Sequence, residues 1–106
     1  MGIPFGSARV ISGSRTPLGY QQISAATLAS ATSLTVPNRG LYAVIQCEGT
    51  FGTDSVRWRD DGVAPTSSVG MILAGGQELD YIGDLATIQF IVGAGSPKLN
   101  VSYYIG

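Results

Sequence analysis

The chain has 106 residues, of which 12% are charged and 44% hydrophobic, with 15 glycines, 5 prolines and a formal net charge of −1. That length suits one domain burying roughly 65% of its unfolded surface, and a charged fraction near half the usual ~25% implies that much of the folded surface rests against other protein. The near-neutral balance lacks the basic footprint of nucleic-acid binding; no apolar run approaches the ~18 residues of a membrane span, and the N-terminus lacks the basic and apolar regions of a secretory signal.

Residues 1–19 alternate Gly2, Gly6, Gly13 and Gly19 with Pro4 and Pro17, and their only charged side chains are Arg9 and Arg15. This composition predicts an extended N-terminal arm with one short strand over 8–12. It fits a loose terminus and an arm added to a neighbouring subunit's sheet edge equally well. Residues 20–106 form the predicted domain. The window 23–34 is rich in Ala and Leu, but its Ser and Thr content and the β-branched residues behind it favour strand and loop over helix.

Leu34 and Val36 alternate with Ser33 and Thr35 before the turn Pro37-Asn38-Arg39-Gly40. Leu41, Ala43, Ile45 and Cys47 then share one strand face, and Tyr42, Val44, Gln46 and Glu48 the other. In the next strand Val56 and Trp58 face inward and Arg57 and Arg59 outward, until Asp60-Asp61-Gly62 turns the chain. Runs at 71–73 and 79–82 flank Gly75-Gly76 and read as a hairpin. Ile88, Phe90 and Val92 form a further inward row; Leu99, Val101, Tyr103 and Ile105 form the last. Seven or eight short strands about ten residues apart predict an all-β, single-domain antiparallel β-sandwich, jelly-roll-like in its eight-strand version. Its sheet edges would be poorly guarded by so few charges, which predicts a homo-oligomer.

Histidine is absent, which removes the commonest general base at neutral pH and the commonest transition-metal ligand. Ser-His and Cys-His catalysis are excluded, and one cysteine cannot build a zinc site. Paired carboxylates among Asp54, Asp60, Asp61, Glu78, Asp80 and Asp84 stay open in principle, but the chain leaves little room for a substrate cleft. Asp54, Asp60 and Asp61 match no calcium-loop spacing and have Arg57 and Arg59 nearby as partners. The expectation is no catalytic residue, no cofactor and no metal. Cys47, in an apolar run, reads as an inert buried thiol.

Two alternatives concern binding. Trp58 with Tyr20, Tyr42, Tyr81, Tyr103 and Tyr104 could build a sugar-stacking platform, although an alternating strand more simply places Trp58 and Tyr103 in the core. Arg57 and Arg59, two residues apart on one face, suit bidentate pairing with a partner's carboxylates; pairing with Asp60, Asp61 or Glu48 of the same chain is the internal alternative. Arg9, Arg15, Arg57, Arg59, Asp60 and Asp61 are the candidate partner-binding residues.

The run Val56-Arg57-Trp58-Arg59-Asp60-Asp61-Gly62, with Pro65-Thr66, Gly70-Met71, Leu73, Gly76, Tyr81, Gly83, Leu85, 88–91 and Leu99-Asn100-Val101-Ser102-Tyr103-Tyr104, resembles small virion proteins of tailed bacteriophages. The resemblance covers about the last two-thirds of the chain and is nearest to head decoration, or cement, proteins. It implies a small β-sandwich made in the host cytoplasm that docks in many copies on the major capsid protein lattice at the capsid exterior; the homo-oligomer expected from the sheet edges is a dimer or trimer. It implies no catalytic residue, nucleic acid or membrane. A tail- or baseplate-associated carbohydrate-binding module is the alternative.

Overall fold

The computed structural model describes residues 15–105. Eight strands follow in chain order: β1 (Thr16–Ile23), β2 (Thr32–Ser33), β3 (Tyr42–Glu48), β4 (Ser55–Arg59), β5 (Met71–Ala74), β6 (Glu78–Tyr81), β7 (Gln89–Ala94) and β8 (Lys98–Ile105). They form two four-stranded antiparallel sheets, ordered β1-β8-β3-β6 and β2-β7-β4-β5. β1 pairs with β8, β2 with β7, β3 with β6 and β4 with β5, so the chain is one long hairpin wound into two layers. That nesting is the jelly roll.

Period-2 alternation builds the core. Ala43, Ile45 and Cys47 of β3, Val56 of β4, Phe90 of β7, and Leu99 and Val101 of β8 are completely buried between the layers, joined by Leu28 and Ile88 from the connections. The outward residues of β3 and β8 are Tyr42, Val44, Gln46, Glu48, Asn100, Ser102 and Tyr104, as alternation requires. The helical content of the Ala-rich window is one short 3-10 turn, Thr27–Ala29, which sinks Leu28 into the core, with β2 behind it.

Three sequence expectations are corrected. β1 begins at Thr16 and pairs with β8 from Thr16↔Ile105 onward, so residues 16–19 belong to the sheet and not to the arm. Pro17 is tolerated because β1 is an edge strand. The strand expected over 8–12 lies outside the described residues. β2 is confined to Thr32–Ser33, so Leu34 packs inward from the connection that follows it. Gly75-Gly76 is not a hairpin turn, because β5 and β6 lie in different sheets. Alternation and a glycine pair announce a reversal, but they carry no information on whether the chain returns within its layer or crosses to the other.

The Gly75-Gly76 crossing is tight. A Cβ on Gly75 would stand 2.7 Å from the carbonyl carbon of Gly49 and 2.8 Å from the backbone of Thr50, and Gly76 takes φ +88°. Both positions therefore need glycine, one for space and one for conformation.

Candidate functional site

β4 positions the residues singled out in the sequence. Val56 points into the core, and Arg57 turns along the outer face of its sheet to donate from Nε to the Ser67 carbonyl (3.2 Å) and from Nη1 to the Gly70 carbonyl (2.9 Å). Arg57 thus pins the loop between β4 and β5. Arg59 grips Asp61 with two bonds of 3.0 and 2.5 Å, and this pairing holds the Asp61 carboxyl below its usual range and the guanidinium above its own. Asp60 accepts a 2.8 Å bond from the Tyr81 hydroxyl, which ties the end of β4 to β6 across the two sheets. Burial first, then that bond to a carboxylate, pushes the Tyr81 phenol up to about 12. Its ring meets Trp58 edge-on at 6.2 Å.

The six proposed contact residues therefore divide. Arg59, Asp60 and Asp61 come together, Arg57 is spent on loop carbonyls, and Arg9 lies outside the described residues. Arg15 sits on the outer face of the other sheet, over the Tyr42 ring at 4.3 Å and 3.3 Å from Asp80. Of the two arginines of β4, Arg59 adopts the internal alternative by pairing with Asp61, whereas Arg57 pairs with backbone carbonyls and with no carboxylate. The aromatic platform does not assemble either: Tyr81 and Tyr103 are buried, Trp58 is half-buried beside Tyr81, and Tyr20, Tyr42 and Tyr104 occupy the outer face of the β1-β8-β3-β6 sheet.

Other carboxylates have local work. Asp54 accepts backbone N–H bonds from Thr50 (2.7 Å) and Ser96 (2.9 Å), which lower its pKa. Asp84 caps its own turn through Thr87 and Ala86. No cluster of three metal-ligating side chains occurs among the described residues. Burial, then the Asp54 charge, raises the Cys47 thiol to about 11, a value that leaves almost no thiolate at neutral pH.

What the sequence reading missed is apolar. Eight large hydrophobic side chains are strongly exposed among the described residues, and five of them, Leu41, Val63, Val69, Met71 and Ile82, belong to one end of the sandwich. The register places them there: Leu41 precedes β3, Val63 and Val69 lie in the β4–β5 loop, Met71 opens β5 opposite Trp58, and Ile82 follows β6. At this end a groove of about 400 Å³ is lined by Trp58, Val69, Met71, Arg59, Asp60 and Asp61. Ile72, 58% exposed, follows Met71 on β5, which among the described residues pairs only with β4. The signal was available in Val69-Gly70-Met71-Ile72, a run with no charged or hydrogen-bonding side chain where an edge strand would ordinarily alternate.

No family model matches this sequence, and no curated protein matches it. A chain from the solved structure described as "Bacillus endospore appendages form a novel family of disulfide-linked pili" is similar over 96% of this chain and 100% of its own, at 15% identity and a TM-score of 0.40. A likeness of that size leaves the architecture to be read from the strand order alone. What stands is a small all-β domain; the likeness of residues 56–104 to phage virion proteins has no counterpart in these comparisons.

Proposed function

We propose that this protein is a structural virion component, a decoration protein that binds the major capsid protein lattice of a tailed phage from outside and stiffens the shell. The observation that carries this reading is the apolar end built from Leu41, Val63, Val69, Met71 and Ile82. In a chain with 12% charged residues, a cluster of this kind marks a surface that another protein covers. The ionic groups beside it are satisfied internally and leave shape and hydrophobic burial as the source of adhesion. Repetition over a symmetric lattice multiplies such contacts, so each can be modest while the shell as a whole is held firmly.

Mixing the purified protein with shells that lack it, then imaging the particles, tests the reading. Decoration spread over the whole head at lattice symmetry supports it; a single small ring at one vertex, or no binding, overturns it. A second reading, a tail-associated glycan-binding module, has one observation in its favour: Tyr20 is 65% exposed beside a hydrogen-bonded row of Gln22, Asn100 and Gln46. Glycan-array binding abolished by Tyr20→Ala would favour that module over the capsid.

A further inference from the structure

Among the described residues, β1 and β6 border one sheet and β2 and β5 the other. An open border recruits a further strand unless something blunts it, and three of these are blunted. β1 carries Pro17, which has no N–H to give, and its register shifts between Pro17 and Gly19. β2 is two residues long. β6 carries Glu78 and Asp80, which an antiparallel copy centred on Leu79 would set opposite each other as like charges. β5 has none of these guards. It reads Met71-Ile72-Leu73-Ala74, and Ile72 stands 58% exposed on it.

The hydrogen bonds of β5 show which backbone groups face its open side. Gly75 donates to the Asp54 carbonyl at 2.8 Å, next in the ladder after Ser55↔Ala74. Antiparallel bonding alternates along a strand, so Leu73 and Met71 also turn their groups to β4, while Ile72 and Ala74 turn theirs outward. Ala74 is occupied there: its N–H donates to Gln77 Oε1 at 2.9 Å and its carbonyl accepts from the Gln77 N–H at 3.0 Å. On the other flank the Gly70 carbonyl accepts from Arg57 Nη1 at 2.9 Å. Ile72 alone keeps both its N–H and its carbonyl directed at the open border.

One residue with a free donor and a free acceptor is its own complement. A two-fold axis through Ile72 lets the N–H of each copy donate to the Ile72 carbonyl of the other. Such an axis keeps inward and outward faces matched only where a residue stands opposite itself. An axis at Leu73 would need the backbone groups of Ala74, which Gln77 holds, and one at Met71 would need the Gly70 carbonyl, which Arg57 holds. At Ile72 the side chains agree as well. Ile72 meets Ile72 of the second copy on the outer face, beside Arg57, and Met71 meets Leu73 of the second copy on the other face, so no charge is opposed. We infer that two copies of this chain join antiparallel through β5, centred on Ile72, and merge their four-stranded β2-β7-β4-β5 sheets into one continuous sheet. The contact goes beyond the capsid reading and does not depend on what covers Leu41, Val63 and Ile82. Since it is one short strand against another, it is small, and pairing of the free protein depends on concentration.

Oxidative coupling of single-cysteine variants tests the register, because Cys47 is buried and does not compete. Directly opposed residues of a hydrogen-bonded pair have Cα atoms ~5.5 Å apart, within the about 4.4–6.8 Å that a disulfide spans. Ile72→Cys protein should form disulfide-linked dimers about ten-fold or more faster than Glu78→Cys protein, whose exposed cysteine lies on the β6 border. Sedimentation equilibrium supplies the second readout. Ile72→Lys sets like charges on the axis, and the dimer should dissociate about ten-fold or more readily with the melting temperature unchanged. Ile72→Pro removes the outward N–H and spares the ladder to β4, so it should also weaken the dimer; where that variant does not fold, Ile72→Lys decides. Ile72→Cys coupling no faster than Glu78→Cys overturns the inference, as does a dimer indifferent to Ile72→Lys. Faster coupling of Ile72→Cys to Val10→Cys protein than to itself also overturns it, by assigning the border to a different segment.

Discussion

The two ends of the sandwich are closed by opposite means. At the end where β3 stops and β4 starts, polar groups are paired with one another: Asp54 holds the Thr50 and Ser96 amides, the Asp54 carbonyl accepts from Gly75 at 2.8 Å, and the Cys47 carbonyl accepts from Gly76 at 2.7 Å. Glycine allows the close approach, with Gly95 at φ +69° and Gly75 pressed on the Gly49-Thr50 backbone. At the other end the ionic groups also pair, but Leu41, Val63, Val69, Met71 and Ile82 remain in water. Backbone hydrogen bonds and tight turns tie the first end within one chain, and Phe51 is its single strongly exposed apolar side chain among the described residues. The second is complete only when something apolar lies on it.

Substitutions at the two ends should therefore fail in different ways. Gly75→Ala forces a methyl into backbone atoms that cannot swing aside, at a cost of about 1–3 kcal/mol; the thermal midpoint should fall by several degrees, while the folded fraction binds shells normally. Met71→Lys combined with Ile82→Lys should do the reverse. Both side chains are exposed, at 61% and 69%, so melting should stay within ~0.5 kcal/mol of the parent, while shell affinity, measured by co-sedimentation, drops about ten-fold or more, which corresponds to ~1.4 kcal/mol.

Acid titration separates the ends further. The backbone N–H groups of Thr50 and Ser96 hold the Asp54 carboxyl below its ordinary value of 3.8. A carboxylate with a depressed folded pKa stabilises the fold above its unfolded pKa and loses that contribution as pH falls through the folded value. Asp54→Asn should thus lower the midpoint at neutral pH and flatten its decline below about pH 4, a slope set by proton uptake. Asp61→Asn, at an exposed ion pair screened by water, should alter the same curve less. Equal changes for the two variants would contradict the assignment of Asp54 as the tie at its end.

Much of the architecture was legible in the sequence. Ala43-Ile45-Cys47 and Leu99-Val101-Tyr103 alternate cleanly because one face of each strand is core, so both face assignments and the sandwich follow from the pattern. Pairing was less visible. β1 and β8 join residues as far apart as Thr16 and Ile105, and nothing local to Gly75-Gly76 distinguishes a hairpin from a crossing between layers. The candidate site was least legible. Arg57, Arg59, Asp60 and Asp61 drew attention as charges in a sparsely charged chain, yet the fold uses each of them to hold its own loops or layers. The surface that distinguishes this protein is assembled from apolar residues in four separate segments, and apart from the run 69–72 nothing in each stretch separates an exposed position from a core one: Leu41 alternates with Ala43 yet is exposed.

Hydrogen exchange compared between free protein and protein bound to shells tests the central claim most directly. The account predicts added protection at the backbone around Leu41, residues 63–72 and Ile82, with the Thr50–Asp54 and Gly93–Ser96 loops at the opposite end unchanged. Protection confined to those opposite loops, or exchange that is the same in both states while the shells are decorated, would contradict it.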